Sequence, residues 1–80
     1  MPEILPYLQA LGFVGAKTWL LAQAEEAGQK LSVRKAKDLA GRAMDCINPD
    51  EYKRILYSDP VGEGIAKRWM DFNHNEQAAA

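Results

Sequence analysis

Six glycines and four prolines are spread so that, over the first 64 residues, no uninterrupted stretch exceeds twelve. Both residue types are poor in the interior of a helix or a strand, which holds the chain to elements of about one to four turns. Between these breaks nothing alternates at period two and β-branched residues are scattered, whereas apolar residues recur three and four apart. The pattern predicts an all-α fold, a compact bundle of four to five short helices in a single small domain.

Each helix carries its own start or stop signal. Pro2 or Pro6 suits a first turn, where a missing N–H leaves no bond unmade. Ile4, Leu5, Leu8 and Leu11 then give an apolar side that ends at Gly12. After Gly15 a second helix spans 16–27, with Trp19, Leu20, Gln23 and Ala27 on one side and Glu25 and Glu26 toward water, and Gly28 stops it. Ser32 caps a third helix from Val33 to about Cys46. Its inward stripe is Val33, Ala36, Leu39, Ala40, Ala43 and Ile47, narrow enough for a neighbour to come close. Asn48 as cap, Pro49 at the first position and Asp50 and Glu51 facing the positive end of the dipole open a fourth. Asp59 and Pro60 open a fifth, whose early Gly62 and Gly64 weaken it by about 1 kcal/mol each unless tertiary contacts hold it.

Eighty residues support one domain, read as a helical domain over 1–73 followed by a disordered tail over 74–80. The core is small, because twelve of the hydrophobic residues are alanine. Ten basic against eleven acidic groups leave a net charge of −1, which argues against a binder held to nucleic acid by bulk charge. The one cysteine, Cys46, cannot form an intramolecular disulfide and points to a reducing compartment, so a cytoplasmic location is expected. Met1-Pro2-Glu3 has an acid where a secretory signal carries basic residues. The apolar stretch from Ile4 to Ala24 is interrupted by Pro6, Gly12, Gly15 and Lys17, so a buried helical hairpin explains it better than a membrane span.

Chemistry-bearing groups are sparse. The only histidine, His74, lies in the polar tail, far in sequence from any nucleophile it would activate. Asp71 and His74 have the spacing of two ligands, but no second donor cluster accompanies them. Cys46, at the end of the alanine-rich stripe, reads as a small core filler. Gly62-Glu63-Gly64 follows no strand, and Glu63 would repel a phosphate. Gly12-Phe13-Val14-Gly15 lacks the basic residues of a nucleic-acid clamp and reads as a helix–helix turn whose Phe and Val seek a core. The sequence thus predicts no catalytic set, no cofactor, no metal site and no enzyme.

Two departures from evenness remain. Residues 30–42 carry Lys30, Arg34, Lys35, Lys37 and Arg42 against Asp38, half of the chain's basic charge. A helix-turn-helix over 31–55 is ruled against by Arg42 after the turn glycine and by Pro49 within the recognition helix. The last helix carries Arg68, Trp69, Met70 and Phe72, which cannot all face one interior, since Trp69 and Met70 lie about 100° apart. Arg, Trp and Met are enriched in interface cores, so these four residues are the expected apolar contact, with Arg34, Lys35, Lys37 and Arg42 steering the encounter.

Together these features predict a protein-binding module, a regulator, adaptor or inhibitor of another protein, with self-association through the last helix as a second use. Small helical chains of this kind are common among phage and mobile-element proteins, an association from size alone. The alternative is a nucleic-acid-binding transcriptional regulator that uses the basic helix.

Overall fold

The computed structural model describes the backbone over residues 3–79 and side chains over 3–71. The chain is an all-α bundle of α1 (Ile4–Glu26), α2 (Val33–Asp45), α3 (Pro49–Tyr57) and α4 (Pro60–Ala79), with no strand among the described residues. The tail expected over 74–80 lies outside the described side chains. No described helix is long and apolar enough to cross a membrane.

α1 is not one rod. Gly12 sits at φ 79 and ψ 174, a conformation closed to residues with a Cβ, and splits α1 into limbs over 4–11 and 13–26. Twelve residues of straight helix would separate Tyr7 from Trp19 by about 18 Å. Their ring centroids are 5.3 Å apart, so the first limb folds back along the second. The hairpin expected of this stretch is therefore present, with the break at Gly12 alone.

The remaining ends follow their local signals. At the end of α1, Gly28 at φ 71 lets the Gln29 N–H reach Ala24 O at 2.9 Å and its own N–H reach Glu25 O at 3.0 Å, satisfying two orphan carbonyls. Ser32 Oγ accepts from the Lys35 N–H at 3.0 Å and Asn48 Oδ1 from the Asp50 N–H at 2.9 Å. Asp59 Oδ1 accepts from the Val61 and Gly62 N–H groups at 2.9 and 3.4 Å, starting α4. The weak glycine turns of α4 are held by packing. A Cβ at Gly62 would lie 2.4 Å from the Leu56 carbonyl oxygen, so the bare glycine is what lets α4 come up against α3.

The core gathers Ile4, Leu5 and Leu8 from the first limb, Ala16, Leu20 and Ala24 from the second, Leu39, Ala40 and Ala43 from α2, Tyr52 and Leu56 from α3, and Ile65 and Ala66 from α4. Alanines on α2 and on the second limb keep these helices close, as the narrow stripe implied. Tyr52 is fully buried and donates its hydroxyl proton to Leu39 O at 2.9 Å, tying α3 to α2. Burial pushes the Tyr52 phenol well above its usual range, with Cys46 and Asp38 adding to the effect.

Several inward assignments are corrected by the fold. Ile47 is 95 % exposed, because Cys46 turns extended (ψ 137) and takes the chain off the helical path before Ile47 is reached. Val33 is exposed because it lies at the edge of the stripe, about 60° from Ala36, in the free first turn. Phe13 and Val14 do not enter the core; Val14 is exposed, Phe13 is partly exposed with its ring edge against Gly41 of α2, and Leu11 beside them is also exposed. Cys46 is half-buried at the end of α2, where it packs against the edge of the core, with its thiol donating to Asn48 O at 3.3 Å.

Candidate protein-interaction surface

The expected apolar contact on α4 is largely taken up by the fold itself. Trp69 is half-buried, its ring 4.9 Å from that of Tyr7 and 5.8 Å from that of Trp19, the latter edge-on at 81°. This trio fastens the returning first limb to the second limb and to α4, and such pairs contribute about 0.5–1.5 kcal/mol each beyond their burial. Met70 is half-buried, with the Tyr57 hydroxyl 3.8 Å from its Sδ. Arg68 donates to Glu26 Oε2 at 2.9 Å and Gln23 Oε1 at 3.4 Å, which latches α4 to α1. The side chain of Phe72 lies outside the described residues.

The four basic residues of α2 divide into two pairs. Lys35 Nζ is 3.3 Å from Asp59 Oδ2, joining α2 to the start of α4, and Arg42 Nε is 3.2 Å from Asp38 Oδ2 one turn away. For Asp59, burial works to raise the pKa, but the Val61 and Gly62 amides and Lys35 outweigh it and hold the carboxyl below its usual range. Arg34 and Lys37 are exposed and have no acidic partner among the described residues. On α4 the Glu63 carboxylate, 2.9 Å from Lys67 Nζ, raises the Lys67 pKa in an exposed pair.

Just past α2, the segment that carries Ile47 is tied down. The Gln9 side-chain amide donates to Ala43 O at 3.0 Å and to Cys46 O at 2.8 Å, closing the end of α2 from across the bundle. The Cys46 thiol bond and the Asn48 cap pin the next two residues. Ile47 is thus displayed on a pinned turn, beside a shallow hollow of about 280 Å³ lined by Arg42, Asp45, Cys46, Ile47, Glu51 and Ile55. A second hollow of about 590 Å³, between the end of α1 and the start of α2, has Leu21 and Leu31 in its wall with Glu25, Gln29, Lys30 and Ser32.

No group of three or more His, Cys, Asp and Glu side chains able to hold a metal ion occurs among the described residues, and His74 lies outside them. Sequence reasoning missed Tyr7 as a ring partner, and Leu11, Phe13, Val14, Val33 and Ile47 as exposed apolar groups. The one available signal was Gly12 itself, since a glycine between apolar residues marks a bend whose outside must face somewhere. Comparison with protein-family models, with curated proteins and with solved structures gave no match to this chain.

Proposed function

We propose that this chain is a non-enzymatic protein-binding module, a regulator, adaptor or inhibitor that docks on another protein through the outer side of α2. The observation that carries the reading is Ile47, 95 % exposed on a turn held by hydrogen bonds that Gln9 and Cys46 donate and that Asn48 accepts. Burying such a side chain is worth about 1.5–3 kcal/mol, and the fold leaves that gain unused. A pinned turn also loses little conformational entropy on docking. The hollow beside Ile47 accepts a partner's side chain in return, and exposed Val33 lies at the far end of α2. Arg34 and Lys37 lie near the Val33 end and Asp45 and Glu51 line the hollow beside Ile47, so the partner surface that fits is apolar opposite Ile47, with acidic groups facing the start of α2 and basic ones facing the hollow. The free thiol of Cys46 suits a reducing compartment such as the cytoplasm.

Capture of a partner from a host lysate, with Ile47→Glu and Trp69→Ala compared, tests the assignment. Ile47→Glu is expected to weaken capture at least tenfold while leaving the far-UV spectrum and melting temperature unchanged. Trp69→Ala is expected to lower the melting temperature through loss of the ring trio. Undiminished capture by Ile47→Glu removes the docking face.

The second reading, a nucleic-acid-binding regulator, is favoured by exposed Arg34 and Lys37, which have no acidic partner among the described residues. With Lys35 and Arg42 held in ion pairs, only two or three basic groups of this region remain for phosphates. A log–log salt slope of about −2 to −3 on duplex DNA, unaffected by Ile47→Glu, would select it.

A further inference from the structure

We infer that the first limb of α1 is an exchangeable arm: at Gly12 the chain can straighten, and residues 4–11 then take in a second copy the place they hold here in their own chain. The second copy enters as the carrier of an identical limb and an identical seat, not as a cover for an exposed face.

The seat is built for this limb. Ile4, Leu5 and Leu8 are buried in the common core, Tyr7 sets its ring against Trp19 and Trp69, and the Gln9 amide closes the end of α2 through Ala43 O and Cys46 O. None of these contacts requires limb and seat to belong to one chain. A limb that left its seat would expose those core side chains and open the core behind it, and an identical limb from another copy restores both at once.

The hinge is short. One residue, Gly12, joins the two limbs, and its φ of 79 with ψ 174 lies in a region essentially reserved for glycine. With Gly12 helical, α1 becomes one rod of about 34 Å, and the limb is carried past its own seat with no slack by which to fold back. It then fits only the seat of another molecule, which is why short hinges favour exchange.

Gly15 serves the same bend. A Cβ there would lie 3.0 Å from the Leu11 Cβ, whereas residues four apart on a continuous helix keep about 5–6 Å between their Cβ atoms. Bending thus brings Leu11 down onto position 15. Both glycines favour the closed chain, since each is also a residue that a continuous helix disfavours. Alanine at either position works against the bend and for the rod together. The exchange leaves the docking face of α2 as it is, because Gln9 of either copy ties down the turn of Ile47.

Cross-linking and sedimentation velocity after refolding at about 10 µM and at about 1 mM test the inference, the higher value being the order of effective concentration at which a chain's own seat holds its limb. A short bismaleimide joins Gln9→Cys to the native Cys46, positions set side by side by the 2.8 Å bond from Gln9 Nε2 to Cys46 O. The substitution removes the Gln9 bonds from both forms alike. At the lower concentration the links are expected within chains. At the higher one, about one-tenth or more should join two chains on a denaturing gel, in excess of the unsubstituted chain with Cys46 alone. Gly12→Ala should be dimeric already at the lower concentration, with its links between chains, and Gly15→Ala should raise the interchain share. A flexible insertion of glycine and serine behind position 12 of the Gly12→Ala chain should return it to a monomer linked within itself. Interchain links no more frequent at the higher concentration than at the lower overturn the inference, whether or not Gly12→Ala folds. So does a folded Gly12→Ala that stays monomeric, or a dimer whose links remain within chains.

Discussion

Gly62 and Gly64 stand two residues apart in the first turns of α4, and their surroundings give them opposite sensitivities. A Cβ at Gly62 would lie 2.4 Å from the Leu56 carbonyl oxygen and 3.1 Å from its Cα, all backbone that cannot step aside. A Cβ at Gly64 would meet only the end of the Gln29 side chain, 2.7 Å from Oε1, which can rotate away. Gly62→Ala must therefore push α4 off α3 and is expected to lose about 1–3 kcal/mol in urea unfolding. Gly64→Ala gains about 1 kcal/mol of helix propensity against a small rearrangement of Gln29 and should come out near neutral. Equal losses in both would show that helix propensity, not the close approach to Leu56, governs this turn. From the sequence the two glycines look alike; the difference arises only once α3 lies beneath one of them.

Between elements, the legible part of the fold is the part written in local chemistry. Gly28, Ser32, the Asn48-Pro49 pair and the Asp59-Pro60 pair end or start helices through bonds to backbone groups a few residues away, so their sequence neighbourhood suffices. The ring trio was not legible, because it depends on the angle through which Gly12 turns the first limb. Nor was the choice of partner for Lys35, which reaches across to Asp59 rather than to its own helix. That pair joins the start of α4 to α2 and has a pH signature. The folded-state pKa of Asp59 is depressed below the ordinary 3.8, so its contribution is fully present above that value and fades as the pH falls through the folded pKa. Asp59→Ala is expected to lose about 1 kcal/mol at neutral pH, mostly from the helix cap. In urea melts at neutral pH and again below pH 3, the gap between the wild type and this variant should shrink at the lower pH. A gap that stays constant would mean that the carboxylate's charge contributes nothing.

At the scale of the whole molecule, one cluster draws on both limbs of α1 and on α2, α3 and α4, with no element owning a core of its own. Five of its thirteen members are alanines, and the large side chains interlock from different helices: Leu5 and Leu8 from the first limb, Leu20 from the second, Leu39, Leu56 and Ile65 from the rest. A chain of this length has about 4–12 kcal/mol of stability in all, so no helix of the set can be expected to persist once its neighbours leave. Unfolding should then be a single transition, with far-UV circular dichroism reporting all helices and tryptophan fluorescence reporting the Tyr7–Trp19–Trp69 corner along the same curve. Leu8→Ala tests how closely the parts depend on one another. Leu8 is fully buried on the short first limb, and its truncation should cost about 2–5 kcal/mol. If the limb is integral, both signals shift together to lower urea and remain superimposed. A fluorescence change that precedes the loss of helix would show instead that the first limb detaches by itself, leaving α2, α3 and the second limb folded behind the Gly12 bend.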